Sequence, residues 1–206
     1  MQSLSVMARL LAVWCAIVAA AGCAENDHAV TATAAPHSLI ADSLILNVED
    51  VQRIAKFDDL TSDPQQDTRA PGNLDAQAPA PCRAVFDQQA AFAQGWNSFR
   101  SVWYSGASNK GVTQAVGVYP DESAARNAFG RVSSDLAACA ALHADGYNFT
   151  TQTPTPSTVE VCFEKCRVVY RWQSSVLIDV SVQHFSDADR IAAEVVKAIA
   201  DRINGA

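Results

Sequence analysis

The sequence predicts an α+β fold in which an antiparallel sheet carries helices packed on one face. Residues 96–119 and 166–185 each contain two β-branched and aromatic segments around a short polar turn, which is typical of a β-hairpin. Residues 121–142 and 187–202 instead place apolar side chains three or four positions apart, which is typical of a helix. Because strands joined by short turns pair in antiparallel fashion, the two hairpins predict one antiparallel sheet on which the helices pack.

The chain before the first hairpin is predicted to contain two short helical segments and a long loop. Asn47 is a good N-cap for the first helix, with Asp50 three positions later in its first turn. Residues 58–81 are rich in aspartate and proline, and a loop of this length is often mobile or functional. Residues 82–93 have helical character, which Gly95 ends.

The two long helices are predicted from their caps and their apolar stripes. Asp121 caps the first, and Ser186 caps the second. The first helix has the stripe Ala125, Phe129, Val132, Leu136 and Cys139. The second has the stripe Ile191, Val195, Ile199 and Ile203. Residues 143–158, between the first long helix and the last strands, are predicted to be a loop.

The register of the second hairpin is predicted by matching its apolar side chains. A three-residue loop, Gln173-Ser174-Ser175, places Trp172 opposite Val176, Tyr170 opposite Ile178 and Val168 opposite Val180. A two-residue loop would pair Tyr170 with Asp179 and mismatch the faces. The chosen register collects polar residues on the other face, namely Arg167, Arg171, Asp179, Ser181 and Gln183.

This polar face is the predicted ligand-binding surface, closed by the proline-rich loop 62–81. Its candidate residues are Gln114, Arg171, Asp179, Ser181 and Gln183. The alternative is a solvated sheet face on which Arg171 and Asp179 form a diagonal cross-strand pair. Four aromatic residues could line an apolar pocket or belong to the core, namely Trp96, Trp103, Tyr104 and Trp172.

Composition and motifs exclude several functional classes. The chain has 206 residues and a net charge of −7, and no run of basic residues offers a surface for nucleic acid or an anionic membrane. No G-x-S-x-G, H-E-x-x-H or glycine-rich phosphate loop occurs, so we expect no enzyme activity and no cofactor. The four histidines are scattered singly, and no metal site is predicted.

The N-terminus has the pattern of an export signal. Arg9 precedes an apolar run that is shorter than the roughly 20 residues needed to span a bilayer. Ala20-Ala21-Gly22-Cys23 resembles a bacterial lipobox, although Ala20 stands where leucine is more usual. We expect residues 1–22 to be a lipoprotein signal peptide, Cys23 to be lipidated, and residues 23–42 to form a flexible tether. The alternative is ordinary secretion with Cys23 as a spare thiol.

Four cysteines remain after the signal peptide and the lipid site. They are Cys82, Cys139, Cys162 and Cys166. An even number in an exported domain favours two disulfides, for which three pairings are possible. The Cys162–Cys166 spacing could instead form half of a metal site, but no histidines lie at ligand spacing.

Residues 113–129 (TQAVGVYPDESAARNAF), the helix end DLAACA and the strands CRVVYRWQSSVLIDVSV resemble the PknH-like extracellular sensor domain. The resemblance covers residues 43–206. That domain occurs outside a mycobacterial Ser/Thr kinase and in stand-alone lipoproteins, and the signal peptide here fits the latter form. The resemblance implies an α+β domain with a ligand cleft and a Cys82–Cys139 disulfide. The family's last cysteine is missing from IDVSVQ, so the second bridge would be Cys162–Cys166.

The expected function is therefore that of a lipid-anchored envelope protein on the extracytoplasmic face of the cell membrane. Residues 43–206 would form a sensor-type domain that binds an unidentified small ligand or envelope component. The alternative is a structural or protein-interaction lipoprotein without a small ligand. The oligomeric state stays open.

Overall fold

The computed structural model describes residues 39–206. The predicted signal peptide, Cys23 and residues 23–38 of the predicted tether lie outside these residues. Within the described part, the helices are α1 (Ala41–Leu44), α2 (Val48–Ala55), α3 (Gln88–Phe92), α4 (Glu122–Leu142) and α5 (Ala188–Asn204). The strands are β1 (Thr61–Ser62), β2 (Ser98–Ser105), β3 (Gly111–Val118), β4 (Thr150–Thr155), β5 (Thr158–Cys162), β6 (Cys166–Gln173) and β7 (Val176–Gln183).

The seven strands form one antiparallel sheet in the order β1-β2-β3-β7-β6-β5-β4. The predicted hairpins are its centre, since β2 pairs with β3 and β6 pairs with β7. β1 and β4 are the edge strands, and both fall in segments predicted to be loop. β4 is threonine-rich and mostly exposed, and it contains Pro154, which an edge strand tolerates.

Helices cover both faces of the sheet, so the predicted packing on one face is wrong. α1, α2 and α5 pack on the face that carries Ile178, which we call the α5 face. α3, α4 and the 3₁₀ segment Ala80–Val85 pack on the face that carries Leu177, which we call the α4 face. β7 is buried from Val176 to Val182, because a central strand covered on both sides has no solvated face.

The predicted caps and stripes are mostly confirmed. The Asn47 side chain accepts a hydrogen bond from the Asp50 backbone N–H, and Asp121 accepts one from that of Ala124. The predicted stripes of α4 and α5 are buried at every position. The Ser186 cap is wrong, because Asp187 holds the N-cap position and its carboxylate accepts hydrogen bonds from Arg190 instead.

The Cys82–Cys139 disulfide is confirmed. The two sulfur atoms are 2.02 Å apart and both residues are fully buried. The bridge ties the segment Ala80–Val85 to the C-terminal half of α4. Both elements lie on the α4 face, so the bridge fixes the layer that covers this side of the sheet.

The predicted Cys162–Cys166 disulfide is not formed, and neither thiol is paired with a cysteine of residues 39–206. Cys162 lies opposite Arg167 in the β5–β6 register, so these two side chains share the α5 face. Cys166 precedes Arg167 and therefore points to the α4 face, where its sulfur lies 3.6 Å from the Ser181 hydroxyl oxygen. Because the two thiols lie on opposite faces, they do not meet.

The second hairpin has a two-residue loop, Ser174-Ser175, rather than the predicted three-residue loop. Ser174 has a φ of 52°, which is a turn conformation. Gln173 consequently pairs with Val176, Tyr170 with Asp179 and Arg171 with Ile178. The predicted pairs, including Val168 with Val180, are each shifted by one residue. A shift of one residue moves side chains to the other face of the sheet, which decides where the candidate site residues lie.

Candidate ligand-binding site

The five predicted ligand-binding residues do not share one surface. Gln114 lies opposite Val180 and Arg171 lies opposite Ile178, so both point to the α5 face. Asp179, Ser181 and Gln183 alternate along β7 on the α4 face. The register error explains the position of Arg171, because a three-residue turn would place Arg171 and Asp179 on one face.

Gln114 is a structural residue. Its side chain is fully buried, its Oε1 accepts a hydrogen bond from the Leu46 N–H (3.1 Å), and its Nε2 donates to the Leu46 carbonyl (3.2 Å). The Tyr104 hydroxyl donates to the same carbonyl at 2.8 Å. Gln114 therefore holds the connection between α1 and α2 on the sheet, and its amide is not directed at a cavity.

Arg171 does not form the diagonal pair with Asp179 that the sequence suggested as an alternative. The two residues are adjacent in the register but point to opposite faces of the sheet. Arg171 lies between Thr158 and Ile178, and its Nε is buried without a hydrogen-bond partner among the described residues. Asp179 is therefore left without this cation.

Asp179 is the one buried acid on the central strand. It is 6% exposed and sits between Ala115 on β3 and Tyr170 on β6. Its Oδ1 is buried and has no hydrogen-bond partner within residues 39–206. Burial raises the pKa of this carboxyl to about 7. An unpaired carboxyl in a protein interior is costly and is a frequent mark of a functional site.

Two cavities open on the α4 face beyond Asp179, towards the C-terminal end of β7. The first, which we call the loop cavity, has a volume of about 330 Å³. Its floor is formed by the strand residues Ser101, Trp103, Thr113 and Gln183. Its cover is formed by Gln66, Thr68, Gly72, Leu74 and Gln88. The cover residues before Gln88 belong to the segment 62–81 that the sequence predicted to close the site.

The second cavity, which we call the turn cavity, has a volume of about 560 Å³. It is lined by Phe86, Gly146, Asn148, Phe163, Glu164, Lys165, Cys166, Gln183 and His184. Gln183 lines both cavities, so they are neighbours at the end of β7. We call the two cavities together the cleft. Burial raises the pKa of the Cys166 thiol, which lowers its reactivity as a nucleophile.

Hydrogen bonds on two sides hold the cover of the loop cavity. Thr68 and Ser101 exchange backbone hydrogen bonds of 2.9 and 3.0 Å, which extend the sheet edge beyond β1. The Gln88 side chain donates to the Ser101 hydroxyl (2.8 Å) and accepts from the Gly72 N–H (3.2 Å). Further along, the Tyr147 hydroxyl donates to the carboxylate of Asp75. The cover is therefore attached both to the sheet and to the α4–β4 connection.

Trp103 supplies the aromatic surface of the cleft. Its side chain is 39% exposed, and its ring lies against the backbone of β3 at Gly111. A Cβ atom at Gly111 would come within 2.7 Å of Trp103 Nε1, so glycine lets the indole lie this close. Among the other aromatic candidates, Tyr104 is buried in the core and Trp96 packs against Phe99.

In residues 39–206, no three His, Cys, Asp or Glu side chains lie together in a way that could hold a metal ion. Over the same residues, no helix combines the length and the apolar character that crossing a membrane requires.

A sheet between two helical layers, with a disulfide in one layer and two cavities on the side of that layer, defines an α+β domain whose sheet is covered on both faces. The chain belongs to the family of PknH-like extracellular domains, whose model matches residues 40–202. This confirms the family resemblance and identifies a sensor-type extracellular domain. No curated protein matches the chain.

The fold is also similar to a solved structure, the extracellular domain of PknH from Mycobacterium tuberculosis. The TM-score is 0.63 at 16% sequence identity, and the match covers 81% of this chain and 95% of that one. At this identity the similarity concerns the fold alone. The stretch matched by the family model begins just before Ala41, which is buried in α1. Helix α1 thus contains Ala41 and Asp42, the last two residues of the predicted tether.

Proposed function

We propose that the domain binds a small polar ligand in the cleft and that Asp179 is the group that anchors it. The unpartnered, buried carboxyl of Asp179 is the observation that carries this proposal. A ligand that donates a hydrogen bond to this carboxyl offsets part of the cost of its burial, and that gain becomes binding free energy.

The position of Asp179 relative to the cleft supports this role. Across the sheet, Ser101, Ala115 and Asp179 lie in one row, and Ala115 places only a methyl group between the other two. Adjacent strands are about 4.8 Å apart, so Asp179 lies roughly 10 Å from Ser101, which is part of the cavity floor. Along the same face of β7, only Ser181 lies between Asp179 and Gln183, which lines both cavities; Asp179 and Ser181 border the cleft without lining either cavity.

The charges around Asp179 restrict what the ligand can present. No Lys or Arg of residues 39–206 forms an ion pair with it. The group that reaches Asp179 is therefore a hydrogen-bond donor, such as an ammonium or hydroxyl group. An anionic group there would face the carboxylate and be repelled.

A thermal-unfolding screen tests the proposal. The full chain, purified in detergent, is heated with a panel of amino acids, primary amines, polyols and oligosaccharides. A ligand at 100 times its dissociation constant stabilises the folded state by about 2.7 kcal/mol, which raises Tm by several degrees. We expect at least one compound to do so with the natural chain and not with Asp179→Asn. A matched control, Asp145→Asn, alters an exposed carboxyl in the α4–β4 connection and should leave the shift unchanged.

If no compound raises Tm, the ligand proposal fails and an interaction role without a small ligand replaces it. A ligand-induced rise in Tm that persists in Asp179→Asn would instead show that Asp179 does not anchor the ligand.

We further propose that the domain is attached to the extracytoplasmic face of the cell membrane by lipid on Cys23. The sequence Ala20-Ala21-Gly22-Cys23 after an apolar run supports this attachment. Growing cells with an alkyne fatty acid should label the natural chain, and Cys23→Ser should abolish both the label and the membrane association. Labelling that persists in Cys23→Ser would exclude this anchor.

A further inference from the structure

We infer that the ligand of the cleft is a short, linear, uncharged oligosaccharide that stacks one sugar ring on Trp103 and extends past Gln183. This inference rests on the proposed function and specifies the ligand class. Three independent properties carry it: the chemistry of the loop-cavity lining, the aromatic surface and the length of the cleft.

The lining of the loop cavity matches hydroxyl groups. Its polar side chains are amides and hydroxyls, namely Gln66, Thr68, Gln88, Ser101, Thr113 and Gln183. Each of these groups can both donate and accept hydrogen bonds, as a sugar hydroxyl can. No Lys, Arg, Asp or Glu lines this cavity, so it lacks the fixed charge with which a site holds an ionic ligand.

Trp103 provides a surface for the apolar face of a sugar ring. Its indole lies along β3 at Gly111, is 39% exposed, and borders the loop cavity. An aromatic ring presents a negative face, which attracts the weakly positive C–H groups on one side of a pyranose. An exposed tryptophan beside amides and hydroxyls offers both kinds of contact that a saccharide makes.

The length of the cleft favours more than one sugar ring. Trp103 lies on β2 and Cys166 on β6, and β3 and β7 run between these strands. Three strand spacings of about 4.8 Å give roughly 14 Å between the two ends of the cleft. Gln183 is a lining residue of both cavities, and the far end contains Phe86 and Phe163, whose rings stack at 5.6 Å. A ligand that occupies both cavities is a chain of at least two rings.

The test is binding of the full chain to immobilised neutral oligosaccharides of two to six hexose, pentose or N-acetylhexosamine units. Free monosaccharides of the same types serve as competitors. We expect one linear oligosaccharide to bind, and its free monosaccharide to compete at least tenfold more weakly. We expect Trp103→Ala to weaken binding at least tenfold.

Two further variants separate stacking from folding. Trp172→Ala removes a tryptophan that lies on the same sheet face as Trp103, at the end of β6 away from Cys166 and the cleft. Oligosaccharide binding by this variant should stay within twofold of that of the natural chain. Gly111→Ala keeps Trp103 but pushes its indole away from β3, and should also weaken binding. Thermal unfolding of each variant shows whether it is folded under the binding conditions.

The outcomes distinguish this inference from the proposed function. If an amine or amino acid binds through Asp179 and no oligosaccharide binds, the saccharide inference fails and the proposed function stands. If neither class binds, both fail. Equal competition by the monosaccharide, or equal loss in Trp103→Ala and Trp172→Ala, would also overturn the inference.

Discussion

Tyr170 and Asp179 lie directly opposite each other on β6 and β7, with both side chains on the α4 face. They are not partners, because the Tyr170 hydroxyl donates to the Ala84 carbonyl at 2.6 Å. Burial raises the pKa of Tyr170 well above its ordinary value. Tyr170 therefore ties the segment Ala80–Val85 to the sheet and leaves the neighbouring carboxyl without a donor.

The first prediction concerns the pH dependence of stability. Burial raises the pKa of Asp179 to about 7, whereas in the unfolded chain it is near 4. Below about pH 4 both states hold the proton, and the contribution of this residue to stability is fully present. Between about pH 4 and pH 7 only the folded state holds the proton, so this contribution is lost as the pH rises to the folded pKa, by up to about 4 kcal/mol in all.

The measurement is urea unfolding of the natural chain and of Asp179→Asn at pH 5 and pH 8. The difference between the two proteins isolates this residue, because other carboxyls contribute equally to both. The natural chain should lose more stability than the variant on going to pH 8, while Asp145→Asn should behave like the natural chain. Identical changes in the natural chain and in Asp179→Asn would show that Asp179 does not titrate as stated.

The second prediction concerns the disulfide. Replacing Cys82 and Cys139 by alanine should lower the free energy of unfolding by about 2–5 kcal/mol, since the bridge closes a loop across a sequence separation of 57 residues. Replacing Cys162 and Cys166 by serine should change it much less, because these thiols are unpaired. Urea unfolding without reductant measures both. An equal loss in the two double variants would mean that Cys162 and Cys166 also form a bridge.

The third prediction assigns Gln114 to folding rather than to binding. Gln114→Leu keeps the volume of the side chain but leaves the buried Leu46 N–H without its acceptor, which should cost about 1–3 kcal/mol. The Tyr104 hydroxyl would still donate to the Leu46 carbonyl, so the loss stays limited. Affinity for any cleft ligand should be unchanged in the folded variant. If Gln114→Leu lowered ligand affinity without lowering the free energy of unfolding, Gln114 would instead be a ligand-binding residue.

The fourth prediction concerns the attachment of the cover over the loop cavity. Burial is the main cause that raises the pKa of Tyr147 to about 12, and its hydrogen bond to Asp75 adds to this. Tyr147→Phe should remove that bond while retaining the ring. We expect faster amide hydrogen exchange in residues 72–79 and a fall in global stability of no more than about 1 kcal/mol.

Asp145→Asn provides the comparison, because it changes a neighbouring exposed carboxyl and leaves the Tyr147–Asp75 contact intact. Its exchange rates in residues 72–79 should match those of the natural chain. If Tyr147→Phe also leaves them unchanged, this hydrogen bond does not hold the cover.

Local patterns were sufficient to predict most helices and strands. The caps at Asn47 and Asp121 depend on residues three positions apart, and the stripe of α5 depends on the helical repeat. The helical stretch predicted over residues 82–93 is divided in the structure into the 3₁₀ segment Ala80–Val85 and α3. The division occurs because Asp87 caps α3 and so starts a second helix. β4 was missed because an exposed edge strand needs no alternation of apolar residues.

The candidate site was predictable only in part. Asp179, Ser181 and Gln183 share a face because they alternate along one strand, and the loop 62–81 does supply cover residues. From the sequence alone, Trp103 fits either a pocket or the core, since its close approach to Gly111 depends on the pairing of β2 with β3. No sequence pattern marked Gln88 as a site residue, because its role depends on a hydrogen bond to Ser101 that joins α3 to the sheet.

By itself, the sequence determined the α+β class, the positions of the two long helices and the two hairpins, because these follow from periodicities of a few residues. The tertiary structure decided which face each residue occupies. The side-chain period of a strand is two, so one residue more in the turn at Ser174-Ser175 would exchange the two faces. The observed two-residue turn separates Arg171 from Asp179. The tertiary structure also places Cys162 and Cys166 apart, and Asp179 lies buried beside the cleft with no hydrogen-bond partner for its Oδ1 among residues 39–206.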